Sequence, residues 1–377
     1  MSAPILPPIG MLAELTHRCP LQCIYCSNPL ELLKANREMT TASWLSLFEQ
    51  AADLGVLQIH LSGGEPTLRP DLETLIATLR RRGVYTNLIT AGVGIADGRI
   101  EAMADAGLDH VQVSFQGAFA STTEKIGNSR GSHEKKIEAA RRFRAAGLPL
   151  TINAPIHRHN MHEVPDFIDL ALELGAERLE IANVQYAGWA LLNRNALMPA
   201  REAVQREVEI VRQAQEELHG ILAVDFVTPD YFAVYPKPCM GGWARDAFMV
   251  APDGTVLPCH AAGTIPGLVF DRFGDKNLSD IWHSSPAFNA FRGTDWMADP
   301  CRTCDRREID WGGCRCQAMA IAGNAAATDP ACIKSPLHAR MAALIDEASE
   351  SDRDIFRYRR IGSSVPEQTL HSPEPAL

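Results

Sequence analysis

The sequence predicts an α/β protein in which a parallel β-sheet is covered by helices and followed by a cysteine-rich segment. Three observations support this fold class. Six apolar runs alternate with amphipathic stretches between about residues 11 and 218, five of the helical stretches are followed directly by a glycine, and the ten cysteines fall into an N-terminal and a C-terminal group. Strands that alternate with glycine-capped helices are typical of repeated βα units, which build parallel sheets.

Each element follows from the period of its apolar residues. The predicted strands lie near Met11–Leu15, Val56–Leu61, Val84–Thr90, His110–Phe115, Leu148–Asn153 and Leu179–Val184. The predicted helices lie near Thr41–Leu54, Pro70–Arg82, Asp97–Ala106, Ser132–Ala146, Met161–Leu174 and Ala200–Leu218. The capping glycines are Gly55, Gly83, Gly107, Gly147 and Gly175. A doubly wound open sheet and part of a TIM barrel fit this pattern equally well.

Composition narrows the class of protein. The chain has 377 residues, of which 46% are hydrophobic and 22% charged, as expected of a soluble protein with a large core and more than one domain. Its formal net charge of −10 disfavours general nucleic-acid binding. Neither a membrane span nor a signal peptide is evident. The ten cysteines are therefore expected to be reduced thiols of a cytoplasmic protein.

Cys19, Cys23 and Cys26 follow the first predicted strand with the spacing C-x3-C-x2-C. Three thiolates leave one iron of a four-iron cluster without a protein ligand, and that iron is open to chemistry. The alternative is a zinc site, which needs four ligands in a closed tetrahedron. His17 lies only two residues before Cys19 and would strain such a site. The cysteine-only set therefore favours an iron–sulfur cluster.

This cysteine run, with Gly63-Gly64-Glu65-Pro66 about forty residues further on, resembles the radical S-adenosylmethionine (SAM) enzymes. The resemblance implies a partial (β/α)6 barrel of the TIM type, with a catalytic [4Fe-4S] cluster in the loop after the first strand. It also implies that the open iron binds the amino and carboxylate groups of SAM. Reduction would then cleave SAM to a 5′-deoxyadenosyl radical.

The same resemblance implies a set of residues that contact SAM. Gly63, Gly64 and Glu65 correspond to the segment beside its amino group, although an ordinary turn would also use two glycines and a proline. Ser114, near the end of the fourth strand, resembles the serine that contacts the ribose. Asn153 ends the fifth strand and is expected on the same face. Capping is the alternative role for both.

A second group of cysteines occupies the C-terminal third with the spacing C-x14-G-x4-C, then C-x2-C-x5-D-x3-C, then a last cysteine after seventeen residues. The pattern resembles the SPASM extension of peptide-modifying radical SAM enzymes, which holds two auxiliary iron–sulfur clusters. Asp310 stands where that family usually has a cysteine, and Cys316 is an additional thiol. Zinc ribbons and, for Asp310, a surface aspartate are the alternatives.

The family's arrangement implies how these ligands divide between two clusters. The outer cluster would be held by Cys301, Cys304, Asp310 and Cys332, and the inner cluster by Cys239, Cys259, Cys314 and Cys316. A Pro-Asp-Gly turn between Phe248 and Cys259 predicts a hairpin that returns Cys259 to the barrel. The predicted domains are residues 1–225 for the barrel, 226–343 for the SPASM extension and 344–377 for a flexible tail.

Asp310, the segment from Asn183 to Ala190 and the overall length resemble the radical SAM family of pyrroloquinoline quinone biosynthesis. That resemblance implies a carbon–carbon cross-link between glutamate and tyrosine side chains of a small precursor peptide. It also implies a small peptide-binding chaperone protein and an electron donor such as flavodoxin, with neither nucleic acid nor membrane as partner. The sequence names no catalytic base.

Other readings stay open at this stage. Another SPASM peptide maturase, forming a thioether or a different cross-link, would share most of the motifs. A non-enzymatic iron–sulfur electron carrier would need the cysteines but not the Gly63-Gly64-Glu65-Pro66 segment. His157, His159 and His162 have a spacing that also allows a separate metal site.

Overall fold

The computed structural model describes residues 4–350 and 355–361. Within them, one sheet contains all nine strands. The strands are β1 (Gly10–Glu14), β2 (Gln58–Ser62), β3 (Tyr85–Thr90), β4 (His110–Ser114), β5 (Leu150–Ile156), β6 (Arg178–Asn183), β7 (Ala223–Val227), β8 (Ala247–Val250) and β9 (Val256–Leu257). Their spatial order is β7-β6-β5-β4-β3-β2-β1-β8-β9. Since β7 and β9 are edges, the sheet is open, and the predicted partial barrel is confirmed.

Helices connect and cover these strands. Over the described residues they are α1 (Thr41–Leu54), α2 (Leu72–Arg81), α3 (Arg99–Asp105), α4 (Ala120–Gly127), α5 (Ser132–Ala145), α6 (Val164–Glu173), α7 (Gly188–Leu192), α8 (Arg194–Leu197), α9 (Arg201–Glu217), α10 (Leu278–Ser284), α11 (Pro286–Asn289), α12 (Arg307–Asp310), α13 (Arg315–Ala322) and α14 (His338–Glu350).

The six predicted strands and six predicted helices are all present, with ends shifted by a few residues. All five predicted cap glycines have positive φ angles. The edge strand β7 was not predicted, and neither were the helices α4, α7, α8 and α10 to α14. Each described helix is too short or too polar to cross a lipid bilayer.

The C-terminal part of the chain adds directly to the first strand of the barrel. β8 pairs with β1 in parallel, with Met11 opposite Phe248, and β9 returns antiparallel to β8. The predicted hairpin before Cys259 is therefore confirmed. The hairpin joins the barrel through β8, and Cys259 follows its outer strand, β9.

The main core lies between the sheet and the helices. In α1, Trp44, Leu47, Phe48 and Ala51 recur at helical spacing and are all fully buried. Burying each large side chain of this kind contributes on the order of 2 kcal/mol to stability. The helices are thereby fixed against the strands, and the loops at the carboxyl edge of the sheet are held in place.

The C-terminal region differs from the expected flexible tail. α14 continues to Glu350, and Leu344, Ile345 and Ala348 are buried against Met198 and its neighbours. Residues 355–361 pack against the barrel as well. In α14 the buried residues do recur at helical spacing, as Met341, Leu344, Ile345 and Ala348, and this period was overlooked. Residues 355–361 form neither helix nor strand and so have no period to detect. Residues 351–354 and 362–377 of the predicted tail lie outside the described residues.

Candidate active site and cluster-binding sites

The loop after β1 carries Cys19, Cys23 and Cys26 at the carboxyl edge of the sheet. All three are half-buried. The backbone N–H of Leu21 donates to Cys19 Sγ at 3.4 Å, and Cys26 Sγ donates to Asn28 Oδ1 at 3.1 Å. The structure therefore brings the three predicted ligands into one loop that already supports their sulfur atoms.

The electrostatics of these thiols fit a metal cluster. Burial, together with the charge of a neighbouring thiolate, raises the pKa of Cys19 to about 12 and that of Cys23 to about 11. The Arg359 guanidinium lowers both pKa values in part. Crowded, buried thiolates need bound cations in place of protons, and the irons of a cluster supply them. The donor set is thus suited to a three-cysteine iron–sulfur cluster.

Gly63 and Gly64 join the end of β2 to the cysteine loop. Gly64 N donates to Thr16 O, and Glu65 N donates to Arg18 O at 2.7 Å. A Cβ atom at Gly63 would overlap Thr16 O, and one at Gly64 would overlap Arg18 O. Gly63 also has a φ of +136°, which other residues rarely adopt. The two glycines therefore set how closely the backbone of β2 approaches the loop.

The Glu65 carboxylate is fully buried and has a structural role. Its Oε1 accepts hydrogen bonds from Thr67 N at 3.0 Å and Thr90 Oγ1 at 2.8 Å, and its Oε2 accepts one from Ala91 N at 2.7 Å. These bonds connect the end of β2 to the end of β3. The Glu65 side chain therefore holds this segment in place from inside the protein.

Ser114 and Asn153 lie side by side at the carboxyl edge. They are paired in the register of β4 and β5, so they share the expected face of the sheet. Asn153 Nδ2 donates to Glu180 Oε2 at 3.1 Å, and Gln112 Nε2 donates to the same oxygen at 2.7 Å. Burial raises the pKa of Glu180. This polar row offers hydrogen-bonding groups next to the cysteine loop.

Lys136 is a site residue that the sequence reasoning missed. Its Nζ is fully buried and donates to Ala91 O at 2.6 Å and to Ser114 O at 2.8 Å, which ties together the ends of β3 and β4. Burial lowers the pKa of Lys136 to about 8, although Cys23 and other nearby acidic groups favour its charged form. The available signal was a lysine on the apolar face of α5, at helical spacing from Ala139, Ala140 and Phe143.

The inner set of cysteines forms a contiguous group. Cys259 Sγ lies 3.7 Å from Cys316 Sγ. Cys259 and Cys314 both shift the pKa of Cys239, and Cys239 and Cys316 both shift that of Cys314, so the four thiols lie close together. The structure thus brings together the four residues assigned to the inner cluster, including the additional thiol Cys316.

The outer set lines a single small cavity formed by Cys301, Cys304, Asp310 and Cys332. Asp310 is buried, and its Oδ1 accepts a hydrogen bond from Gly312 N at 3.0 Å. Burial is the main cause that raises the pKa of Cys332, and the charges of Asp310, Cys301 and Cys304 also raise it. Asp310 therefore lies among the thiols and not at the surface.

Asp329 connects the two sets and was also missed. Its Oδ2 accepts from Cys314 N at 2.6 Å, and its Oδ1 accepts from Gln317 Nε2 at 2.8 Å and from Ala331 N at 2.9 Å. The carboxylate thereby fixes the segment of an inner ligand against the segment that ends at Cys332. Asp329 was missed because it lies between Cys314 and Cys332 without belonging to any regular spacing of ligands.

The three histidines weighed as a separate metal site are not assembled as one. His157 is buried, with its ring 5.7 Å from those of Tyr25 and His159, whereas the His162 side chain is 74% exposed. In the part of the chain that the structure describes, no three His, Cys, Asp or Glu side chains converge as a single metal ion would require. Burial lowers the pKa of His157 to about 3, so this ring is neutral and acts as part of the packing.

Two family models match the chain. The model described as the radical SAM superfamily matches residues 13–171, which contain the three-cysteine loop and the Gly63-Gly64-Glu65 segment. The SPASM model, described as an iron–sulfur cluster-binding domain, matches residues 239–305. The two matches fall on the two regions in which the structure gathers cysteines.

Curated relatives extend over nearly the whole chain. A protein named PqqA peptide cyclase from Methylobacterium nodulans is 58% identical over 363 residues, which are 96% of this chain and 96% of that protein. A protein of the same name from Granulibacter bethesdensis is 52% identical over 370 residues, covering 97% and 98% of the two chains.

Solved structures show the same fold at low sequence identity. Streptococcus suis SuiB bound to S-adenosylmethionine has a TM-score of 0.71 at 20% identity, covering 88% of this chain and 78% of that one. Native anSMEcpe with bound AdoMet has a TM-score of 0.61 at 15% identity, covering 91% and 97%. Given the three cysteine sets, the two matched domains and the near full-length relatives, the chain belongs to the PqqA peptide cyclase family of the radical SAM superfamily.

Proposed function

We propose that this protein is a radical SAM enzyme that joins a glutamate and a tyrosine side chain of a ribosomal precursor peptide in pyrroloquinoline quinone biosynthesis. The observation that carries the proposal is the arrangement of the cysteines. A three-cysteine loop lies at the carboxyl edge of the barrel, and two further ligand sets lie in the adjoining extension. The name of the relatives at 52% to 58% identity supports the same substrate.

The reaction has a simple balance of atoms. The γ-carbon of glutamate loses a hydrogen atom, the tyrosine ring loses a proton and one electron, and a carbon–carbon bond forms between them. The peptide thus loses two hydrogens. Because an unactivated γ-C–H bond has no acidic proton, general base catalysis alone does not break it.

The residues of the three-cysteine loop would hold the catalytic cluster, and the groups around it would bind SAM. When bound, the cluster and SAM together supply a carbon radical that removes hydrogen from unactivated C–H bonds. Ser114 and Asn153 offer side-chain hydrogen bonds beside the loop. Gly63, Gly64 and Glu65 offer backbone groups there.

The two remaining ligand sets are the proposed sites of auxiliary iron–sulfur clusters. Cys239, Cys259, Cys314 and Cys316 would hold the inner cluster. Cys301, Cys304, Asp310 and Cys332 would hold the outer one, where a carboxylate is a harder ligand than a thiolate. These sites provide an acceptor for the electron that leaves the tyrosine ring.

The chain's own buried groups keep the reaction site in shape. Lys136 and the Glu65 carboxylate fasten the ends of β2, β3 and β4 by hydrogen bonds from inside the protein. Buried polar groups that are fully hydrogen-bonded make such a site rigid. The ends of these three strands, which face the proposed cluster, are thereby prevented from moving apart.

The finer assignments of partners and domains are part of the proposal. A small chaperone protein presents the peptide, an electron donor such as flavodoxin reduces the catalytic cluster, and the reduced thiols indicate a cytoplasmic setting. The barrel domain comes first and the SPASM domain extends to about residue 343. We place their boundary after Val227 and not at residue 225, because β7 is paired with β6 through Ala182 and Val227.

The test is an anaerobic incubation of the reconstituted protein with SAM, a reductant and a peptide that contains Glu and Tyr three residues apart. Mass spectrometry should show the loss of two hydrogens from the peptide, with fragments linked between the two residues. A control peptide with Tyr replaced by Phe tests the need for the phenol.

Two outcomes would point to the other functions. Cleavage of SAM without any cross-link in this peptide would favour a maturase of a different peptide. One fold neighbour, SuiB, has been solved bound to the precursor peptide SuiA. Retention of all clusters without any cleavage of SAM after reduction would indicate an electron carrier.

A further inference from the structure

The segment of residues 355–361 lies across the cysteine loop, although it is more than 300 residues away in sequence. Arg359 N donates to Gln22 O at 3.2 Å. Asn193 fixes the two segments to each other, because its Nδ2 donates both to Ile24 O and to Arg357 O at 2.8 Å. Arg357 N donates in return to Asn193 Oδ1 at 2.7 Å. We call residues 355–361 the strap.

Aromatic side chains anchor the strap. The rings of Phe356 and Tyr358 pack edge to face at 5.4 Å and lie against Ile24 in the cysteine loop. Tyr358 Oη donates to Lys125 O at 2.9 Å. The strap thereby contacts the loop between Cys23 and Cys26 through backbone and apolar groups together.

Arg359 is the residue that the strap directs inward. Only 3% of it is exposed, and its Nη2 donates to His17 O, two residues before Cys19. Its buried Nε has no hydrogen-bond partner in the described structure. Within residues 4–350 and 355–361, no carboxylate forms an ion pair with this guanidinium. A buried cation without an anion is costly, so an anionic group is required near it.

The anionic groups that face Arg359 are the three cysteines. The guanidinium acts electrostatically on Cys19, Cys23 and Cys26 and partly lowers the pKa of each thiol. A cluster held by three thiolates carries a net negative charge, which increases when the cluster is reduced. The unused N–H group of Arg359 and its full charge therefore match the reduced cluster better than the oxidised one.

We infer that Arg359 is a positioning residue for the catalytic cluster: held by the strap against the backbone of the cysteine loop, it places its positive charge beside the three thiols and raises the cluster's reduction potential. The inference rests on the proposed cluster at Cys19, Cys23 and Cys26, but not on the identity of the peptide. Hydrogen bonds to cluster sulfur and nearby charge are established determinants of potential. A higher potential lets a weaker reductant load the cluster with its electron.

The experiment measures the midpoint potential of this cluster in the full-length protein by a redox titration followed by electron paramagnetic resonance. Signals of the auxiliary clusters are subtracted with the variant in which Cys19, Cys23 and Cys26 are all alanine. Arg359→Gln removes the charge, and Arg359→Lys keeps it without the planar guanidinium. Arg360→Gln is the matched control, because Arg360 is the exposed next residue of the strap.

We expect Arg359→Gln to lower the ratio of reduced to oxidised cluster at a fixed potential at least tenfold, which corresponds to a shift of the midpoint potential by about 59 mV to more negative values. Arg359→Lys should recover most of this change, and Arg360→Gln should match the unmodified protein. Loss of the cluster from Arg359→Gln with retention in Arg359→Lys would also support a requirement for charge. An unchanged potential in Arg359→Gln, or loss of the cluster from both variants, would overturn the inference.

A wrong assignment of the catalytic cluster would give a different experimental result from a wrong role for Arg359. If the triple alanine variant kept the signal attributed to the catalytic cluster, the cysteine assignment itself would be wrong. If that signal disappeared as expected while Arg359→Gln behaved like Arg360→Gln, the cluster assignment would stand and only the role of Arg359 would fall.

Discussion

His260 Nδ1 lies 3.1 Å from Glu14 Oε1, and this contact joins residues 246 positions apart in the chain. Glu14 ends β1, just before the three-cysteine loop, while His260 directly follows the inner ligand Cys259. The same Oε1 accepts a hydrogen bond from Asn28 Nδ2 at 2.7 Å, and Asn28 Oδ1 accepts one from Cys26. A short chain of hydrogen bonds thus connects the loop of the catalytic cluster with the first part of the extension.

Glu14→Gln should destabilise the protein at neutral pH. Burial opposes ionisation of Glu14, but hydrogen bonds with His17 and His260 hold its pKa at about 2, below its usual 4.5. Because this pKa is lowered by folding, the stabilisation is present above pH 4.5 and is lost as the pH falls towards 2. It amounts to about 3 kcal/mol.

Denaturant unfolding of the two proteins at pH 7 and at pH 3 measures this effect. The difference between Glu14→Gln and the unmodified protein should shrink at the lower pH. Glu31→Gln, at an exposed position, is the control and should leave stability unchanged at both values. An equal difference at both pH values would contradict an ionised Glu14.

Replacement of Cys19, Cys23 and Cys26 by alanine should abolish the formation of 5′-deoxyadenosine. The auxiliary iron should remain, because the inner and outer sets use separate residues. Iron analysis and chromatography of the products give both quantities from one sample. Reductive cleavage of SAM by the triple variant would refute the assignment of the catalytic cluster.

Asp310→Ala should reduce the iron content of the outer site or abolish cross-linking, while the catalytic cluster survives. Asp310 is buried among three thiols, which leave one position of a four-iron cluster for it to fill. Asp310→Cys should retain the outer cluster with a changed reduction potential, because thiolate donates more electron density than carboxylate.

Glu308→Ala is the matched control for Asp310, since this exposed carboxylate belongs to the same short helix, α12. It should behave like the unmodified protein in iron content, potential and cross-linking. Identical results for Asp310→Ala and Glu308→Ala would return Asp310 to the role of an ordinary helix residue.

Truncation after Glu350 should lower both the melting temperature and the occupancy of the catalytic cluster. It removes the packing of Phe356 and Tyr358 and the contacts of Arg359 with the cysteine loop. A chain that ends at Ile361 keeps all of these contacts and is the control. Thermal unfolding and iron analysis of the two chains compare them directly, and equal values would show that the strap contributes nothing.

The elements of the barrel could be predicted because each has a regular period. The apolar residues of α1 and the cap at Gly55 are local signals, and so is the spacing of the cysteines. β7 was missed because an edge strand with only Val224 buried has little apolar pattern. Its pairing with β6 becomes visible only in the fold.

The proposed cluster ligands could be picked out from the sequence, but the residues that support them could not. Cys19 and Asp310 belong to regular ligand spacings that are visible in the sequence, whereas Lys136 and Arg359 act through contacts between distant segments. The sequence around a buried lysine or arginine rarely shows that it is buried. The exception is a charged residue at an apolar position, such as Lys136 on the buried face of α5. The motif around Glu65 likewise gave no information on where its side chain points, and the bonds of the carboxylate to the end of β3 become visible only in the fold.

The pairing of β8 with β1 has a consequence for how the chain is made. β1 leaves the ribosome before the other eight described strands, yet one of its two neighbours follows more than 200 residues later. Contacts between residues so distant in sequence form slowly, because the chain loses the entropy of closing a long loop before the contacts can stabilise it. The cysteine loop that follows β1 therefore stays uncovered through most of synthesis, and the strap reaches it last. This order leaves an interval in which iron and sulfide can enter the loop before the protein closes over them.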